Sequence, residues 1–435
     1  MKKIGVGLLG FGTVGSGTAK ILLENRELIE SRVGATLELK WIADLDIETD
    51  RGVSVDEQIL TTDARKVIND PDVDIVVELI GGYDPAKSFI LQAIENGKHV
   101  ITANKALLAA HGDEIFSTAS QRGVEIGFEA SVGGGIPLIR SVKEGLVANH
   151  IESFFGILNG TANYILTKMT DEGTPFSQVL KEAQAMGYAE ADPTFDVEGI
   201  DTAHKLAILV AIAYGMPIDL NAIYTEGISK ITPLDINFVK EFGYRIKLLA
   251  ISKDDGEAIE ARVHPTIIPE GSMLANVSEA YNALYIKGDA VGNIMLYGQG
   301  AGMMPTGSAV VSDIVDVARN LLSGAVGRVP LTGYQSGSVR KKRVKSINEL
   351  DTKYYFRFSA EDRPGVLSKI SGLLGKHKIS IKSVHQKGRD VAGPVPIVMI
   401  THEAKEAAVK SALSEIDELD VVKDKTMLIR IEDWK

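Results

Sequence analysis

Six residues, Gly10-Phe11-Gly12-Thr13-Val14-Gly15, constrain the fold more than any other stretch of the chain. They stand between an apolar run at residues 3–9 and a helical pattern from Thr13 to Ser31. At a strand-to-helix turn, Gly10 permits the tight bend, Gly12 lets the backbone approach a pyrophosphate, and Gly15 lets helix and strand pack closely. The pyrophosphate would meet free N–H groups at the helix start. Alone the pattern is weak, but at the first turn of a βαβ unit it is a dinucleotide-binding fingerprint. The following residues supply that unit. Leu37 to Ala43 is apolar and ends at Asp44, and Asp74 to Ile80 precedes a helix from Pro85 to Asn96. His99 to Thr102 precedes a helix near Ala106 to Arg122, and Val124 to Glu129 is a further strand. Strands alternating with helices in this way predict a Rossmann-type doubly wound parallel sheet over residues 1–130.

From Pro137 the rhythm changes. Ile151 to Leu158 reads as a strand, and helices follow at Thr161 to Glu172, Pro175 to Met186 and Asp201 to Tyr214. Strands return at Ile259 to Val263 and Ala283 to Lys287, before a helix from Ser308 to Leu322. Residues 131–326 are therefore expected to form an α+β domain. Residues 327–350 contain Pro330, Gly333, Gly337 and the basic run Arg340 to Arg343, and read as a solvated linker. Beyond it, residues 351–435 carry the order βαββαβ in under 90 residues, the ferredoxin-like pattern, expected to fold on its own.

Composition narrows the function. A net charge of -11 argues against a nucleic-acid partner, because phosphate binding is carried by Lys and Arg. The absence of cysteine excludes disulfides and thiolate metal sites. The N-terminus has no secretory pattern, and no uncharged apolar run reaches membrane-spanning length, so a cytoplasmic chain without a membrane partner is expected.

The second strand bears on the choice of cofactor. A carboxylate at its end binds the ribose 2′-hydroxyl of NAD, whereas an arginine nearby suits the 2′-phosphate of NADP. Asp44 and Asp46 stand there, with no arginine before Arg51, which leans the reading to NAD. Loop geometry that returns Lys40 or Arg51 to the site would favour NADP.

Residues 183–205 are the most informative. Glu190, Asp192, Asp196, Glu198 and Asp201 crowd a loop between two helices, and the second helix continues as the apolar run Leu206 to Ala213. Asp201 and Lys205 are four apart and share a helix face. One reading is a surface ion pair beside a solvated acidic loop. The apolar body of the helix argues instead for burial, where a lysine needs a partner or a task. A calcium loop is disfavoured, because Asp192 to Gly199 lacks the EF-hand spacing.

This segment resembles the signature of homoserine dehydrogenases in its glycines, carboxylates and terminal lysine. Thr102-Ala-Asn-Lys105, Glu129 to Pro137, Gly156 to Asn163 and Gly300 to Thr306 are similar to that family too, in the family's order. The resemblance implies reversible NAD(P)-dependent reduction of L-aspartate 4-semialdehyde to L-homoserine. It makes Lys205 the proton donor and acceptor, lets Glu190 and Asp201 hold homoserine, and puts Lys105 near cofactor and substrate. Phe11, Thr13 and Val14 would touch the cofactor, with Gly187 and Gly302 closing over it. Family members can hold a monovalent cation such as sodium through a glutamate and nearby carbonyls, and the matching positions are Glu129, Val132, Gly134 and Ile136. Many members carry a basic residue where this chain has Ala43. The residue types suit the chemistry: a lysine ammonium can polarise a carbonyl oxygen and then protonate it, and a carboxylate beside it keeps it charged.

Phe358 to Leu367 resembles the first strand-to-helix loop of an ACT domain. Such modules pair edge to edge and bind amino acids at the shared interface. By this resemblance Asp362 and Gly365 are regulatory positions, threonine is the expected effector, and a homodimer or homotetramer is expected. A ferredoxin-like unit that serves only for subunit contact is the alternative.

Overall fold

The computed structural model describes residues 2–386 and 394–433. Two sheets organise it. The first has the strand order Leu60–Thr61, Thr36–Ala43, Lys3–Leu9, Ile75–Glu78, His99–Thr102, Ile126–Gly127. Every pairing in it is parallel. The order reverses between Lys3–Leu9 and Ile75–Glu78, so the crevice at their carboxyl ends is a topological switch point, where ligands of such sheets bind. The glycine loop leaves Leu9 at that point.

Local departures from the sequence reading have plain causes. Asn25 leaves helical geometry and divides the expected first helix into Thr13–Glu24 and Arg26–Val33. The helix expected to begin after Pro305 instead spans Met303–Ser323, because proline in a first turn forfeits no hydrogen bond. Its residues Val310, Ile314 and Val317 share a core with Val6, Leu8 and Ala19, so the chain returns here to pack on the dinucleotide-type sheet.

The second sheet runs Gly292–Gln299, Tyr281–Gly288, Ile151–Ile157, Tyr244–Asp254, Ala258–Pro269, all antiparallel. The helix Ile200–Tyr214 packs on it, with Leu206 and Leu209 in one core with Leu248 and Ala250. Strand Tyr244–Asp254 escaped the sequence reading because Lys247 and Ser252 interrupt its apolar run, yet both are buried.

The C-terminal unit has the expected βαββαβ order, from Asp351–Ala360 through Val366–Lys376, Ile381–Gln386, Val395–Thr401 and Glu406–Asp417 to Val422–Ile431. Its sheet is continuous with the preceding one. Val422–Ile431 pairs in parallel with Ala258–Pro269, matching Thr266 to Arg430 and Ile267 to Ile431. The 327–350 segment read as a solvated linker is mostly exposed or half-buried, yet it is tied to the preceding unit at several points. Arg343–Val344 pairs with Ala258 and Ile259, the Tyr334 hydroxyl donates to the Ala213 carbonyl at 2.9 Å, and Lys342 pairs with Asp254 at 2.6 Å. The basic run that suggested solvent exposure thus meets carboxylates of the protein. Among the described residues no helix is long and apolar enough to cross a membrane.

A buried polar knot fastens the junction. Asp235, fully buried, accepts from Arg357 Nε at 2.6 Å and from the Tyr355 hydroxyl at 3.2 Å across the two units, and from the Thr232 hydroxyl at 2.6 Å. Replacing Asp235 with alanine orphans a half-buried guanidinium. Chemical denaturation of Asp235→Ala is expected to show a loss of about 3–5 kcal/mol; a loss below about 1 kcal/mol would show that solvent satisfies Arg357 without its partner.

Candidate active site

The apolar helix Ile200–Tyr214 buries both members of its i,i+4 pair. Lys205 Nζ donates to Asp201 Oδ2 at 2.7 Å and to the Leu158 carbonyl at 2.6 Å. Their side chains are 10% and 4% exposed, which rules out the surface-pair reading. Lys105 Nζ lies 3.1 Å from the other carboxylate oxygen, Oδ1, and is the more open of the two cations at 36% exposure. Asp201 is thus flanked by two ammonium groups. Burial alone would raise its carboxyl, but Lys205 and Lys105 outweigh burial and hold it well below the usual carboxylate range. Lys205 is pushed below the usual lysine value, chiefly by burial and against the pull of Asp201. A cation held in place yet eased toward releasing its proton suits acid–base work.

The motif around Lys105 is built from its neighbours. The Thr102 hydroxyl donates to the buried Glu78 carboxylate at 2.7 Å, and the Asn104 backbone N–H donates to the Thr102 hydroxyl oxygen at 3.0 Å. Asn104 then caps the helix Lys105–Arg122 by accepting from the Leu107 N–H at 3.1 Å. Lys105 therefore starts its helix at the carboxyl end of a parallel strand, beside the glycine-loop crevice.

Two side chains in this cluster had no role in the sequence reading. Asn159 Nδ2 donates to Asp201 Oδ2 at 2.9 Å and to Asp196 Oδ1 at 2.7 Å, while its Oδ1 caps the helix Gly160–Glu172. Burial raises the Asp196 carboxyl, and Asn159 opposes that. An asparagine ahead of Gly160-Thr161 is a helix-start signal; its second role, across to another helix, has no local signature. Glu190 is not drawn into the cluster by its side chain. It is exposed and has no side-chain hydrogen bond or ion pair among the described residues, although its carbonyl accepts from Gln184 at 3.0 Å. Gly187, in the same loop, is exposed with φ +77°. The loop is tied to the cluster where the Thr161 hydroxyl donates to the Tyr188 carbonyl at 2.6 Å.

At the crevice, Gly10 has φ +104°, and a Cβ there would sit 2.8 Å from the Leu79 carbonyl carbon and oxygen, so no other residue fits without strain. At Gly12 a Cβ would meet nothing within 4 Å, and Gly12 starts the helix Thr13–Glu24 without a side-chain cap. At Gly15 a Cβ would fall 2.1 Å from the Gly10 carbonyl oxygen. Thr13 is exposed, Val14 half-buried and Phe11 buried. The open approach and uncapped first turn fit a pyrophosphate. Asp44 accepts from the Phe11 N–H and from the Asp46 N–H at 2.9 Å, and Arg51 pairs with Asp46 at 2.9 Å. A chain of contacts therefore joins the glycine loop to the one arginine the sequence reading left open.

The remaining positions are set by other contacts. Both carboxylate oxygens of buried Glu129 accept backbone N–H groups, from Ile139 and Arg140, each at 2.8 Å. Val132 and Ile136 are buried in the same turn, and a Cβ on Gly134 would fall 2.5 Å from the Gly300 carbonyl. Gly302 opens the helix Met303–Ser323. In the C-terminal unit Gly365, at φ +88°, opens the helix Val366–Lys376, and Asp362 lies in the loop before it.

Comparison with known proteins points to one family. Residues 137–315 match the family model described as homoserine dehydrogenase, 10–129 match the homoserine dehydrogenase NAD binding domain, and 354–420 match the ACT domain. A homoserine dehydrogenase of Neisseria gonorrhoeae is 46% identical over 432 residues, 99% of each chain. The crystal structure of one from Thiobacillus denitrificans superposes with a TM-score of 0.94 at 49% identity, covering 100% of this chain and 99% of that one. A hyperthermophilic archaeal homoserine dehydrogenase in complex with NADPH gives a TM-score of 0.62 at 26% identity, over 72% of this chain and 97% of its own.

Proposed function

Because the chain belongs to the homoserine dehydrogenase family, we propose that it interconverts L-homoserine and L-aspartate 4-semialdehyde, with Lys205 moving the proton. The buried Lys205–Asp201 pair carries this reading. A nicotinamide cofactor would be held by Gly10, Gly12, Gly15 and the first turn of Thr13–Glu24, and when bound would supply or take up the hydride at the carbon that bears the oxygen. In reduction, the Lys205 ammonium polarises the carbonyl oxygen and protonates it. In oxidation, neutral Lys205 accepts the alcohol proton. Asp201 stays ionised throughout and keeps Nζ aimed. Lys105 serves the carboxylate end of the amino acid, while Glu190, with its side chain unengaged, is free to close on the ammonium together with Asp201.

Lys205→Met is expected to lower turnover by about 10²–10⁴-fold while leaving the cofactor dissociation constant within about twofold, because the lysine handles a proton and not the dinucleotide. Stopped-flow turnover beside fluorescence titration of the cofactor tests both halves. Near wild-type turnover in the variant would remove Lys205 from the chemistry.

For the cofactor we infer NAD over NADP. Asp44 and Asp46 line the end of the second strand, Ala43 adds no charge, and Arg51 is already engaged by Asp46. Freeing the guanidinium with Asp46→Ala is expected to improve NADP use by about tenfold. Steady-state assays with the two cofactors side by side decide it, and a wild-type preference for NADP of about tenfold or more overturns the reading.

Two further elements belong to the proposal. The buried Glu129 carboxylate, which burial pushes up, has no basic side chain hydrogen-bonded to it among the described residues. A monovalent cation such as sodium, shared with the carbonyls of Val132, Gly134 and Ile136, would relieve that burial. Threonine, held at a paired C-terminal interface near Asp362 and Gly365 of a homodimer or homotetramer, would act as effector. Calorimetric titration with threonine tests this, and no binding at millimolar concentration would leave the module a subunit contact.

A further inference from the structure

The turn that presents Asp201 rests on a bracket that reaches into the C-terminal unit. Residues 197–199 lead directly into the helix Ile200–Tyr214. Beneath them runs the short strand Tyr224–Thr225, paired with Arg262 and Val263, and the chain goes on from it through Glu226 to Ile228. The Ile228 N–H donates to the Val197 carbonyl at 2.8 Å. A Cβ on Gly227 would sit 2.4 Å from both the Glu198 Cα and the Val197 carbonyl oxygen, so backbone lies directly on backbone here and a displacement of one segment displaces the other. The carboxylate of Glu226 takes other partners. Its Oε2 accepts from the Tyr224 hydroxyl and from Arg430 Nη1, each at 2.9 Å.

Arg430 is a rigid anchor. It is 2% exposed and lies on Val422–Ile431, the strand that joins the C-terminal unit to the catalytic sheet. Its Nε and Nη2 donate to fully buried Glu406 at 3.0 and 2.6 Å, and its guanidinium covers the Tyr224 ring at 5.0 Å. Glu226, half-buried, is the movable member of the pair.

We infer that Glu226 is a positioning residue for the reaction: paired with Arg430, it holds residues 197–199 so that Asp201 meets Lys205. This rests on the reading of Lys205 as the proton carrier and on no effector. The groups facing Lys205 are Asp201 on its own helix, Lys105 from Lys105–Arg122, Asp196 from Thr194–Val197, and the Leu158 carbonyl. Of these, the two carboxylates flank the bracketed turn, Asp196 just before it and Asp201 just after. Loosening the bracket weakens their pull on the Lys205 proton, Asp201 foremost, against burial and Lys105, so the lysine loses its proton at lower pH.

The test is the pH dependence of homoserine oxidation by full-length Glu226→Gln, which keeps the side chain's shape and removes its charge. Its acid limb is expected to move down by about half a pH unit or more, with kcat reduced about fivefold or more and the Michaelis constant for the cofactor unchanged. The thermal midpoint serves as control, since a loss of stability alone does not move the limb. In the double variant Glu226→Gln/Arg430→Gln the shift should be no larger than in the single one, as expected for groups acting through one contact. If the double variant does not fold, the single variant decides. An unmoved acid limb with Lys205→Met inactive overturns this inference alone. Turnover retained by Lys205→Met overturns the proposed function and this inference with it.

Discussion

One buried ion pair sets the terms for the rest of the molecule. Taking the Lys205 ammonium and the Asp201 carboxylate out of water costs several kcal/mol per ion, and their attraction repays this only with further hydrogen bonds and good geometry. The chain provides them from distant segments: the Leu158 carbonyl at the end of a strand, Asn159 at the start of a helix, and Lys105 from the parallel-sheet unit. Each has to arrive in place for the pair to be tolerable. The site is therefore a condition on the fold, and the two sheets have to meet at this point.

The meeting is sealed at the other end by a second set of buried charges. Asp235 with Arg357, and Glu226 with Arg430, which Glu406 holds in place, tie the last 85 residues to the catalytic unit. A parallel strand pairing runs between them. Such a junction is unlike a flexible linker between independent modules. Through Arg430 and Glu226 it reaches the segment stacked on residues 197–199, which lead into the helix bearing Asp201.

Local features of the sequence carried a large part of this. The glycine loop, the alternating strands and helices, and the apolar helix bearing Asp201 and Lys205 each announce themselves within a few residues, because their geometry is set by neighbours along the chain. The βαββαβ order of the C-terminal unit is legible for the same reason. What escaped depends on neighbours far away in sequence. Asn159 looks like a helix cap, and its bond to Asp201 comes from 42 residues further on. Strand Tyr244–Asp254 hides behind Lys247, whose buried ammonium is satisfied by Asn163 and the Val277 carbonyl from far along the chain. The basic run at Arg340 to Arg343 stays largely exposed, and its pairs with Asp254 and Glu349 have no signature in the run itself. The parallel pairing of Thr266 with Arg430 has no signature in either strand.

The central claim, that Lys205 carries the proton and Asp201 sets its charge, is tested most directly by the pH dependence of homoserine oxidation in wild type and Asp201→Asn. Oxidation needs the neutral lysine, so the wild-type rate should climb with pH through an apparent pKa below the ordinary lysine value of about 10.4. Removing the Asp201 charge takes away the main pull that keeps the proton on Lys205. The climb should then move to lower pH by about one unit or more, alongside a lower maximal rate. A profile that keeps its position in Asp201→Asn, or moves to higher pH, would contradict the account.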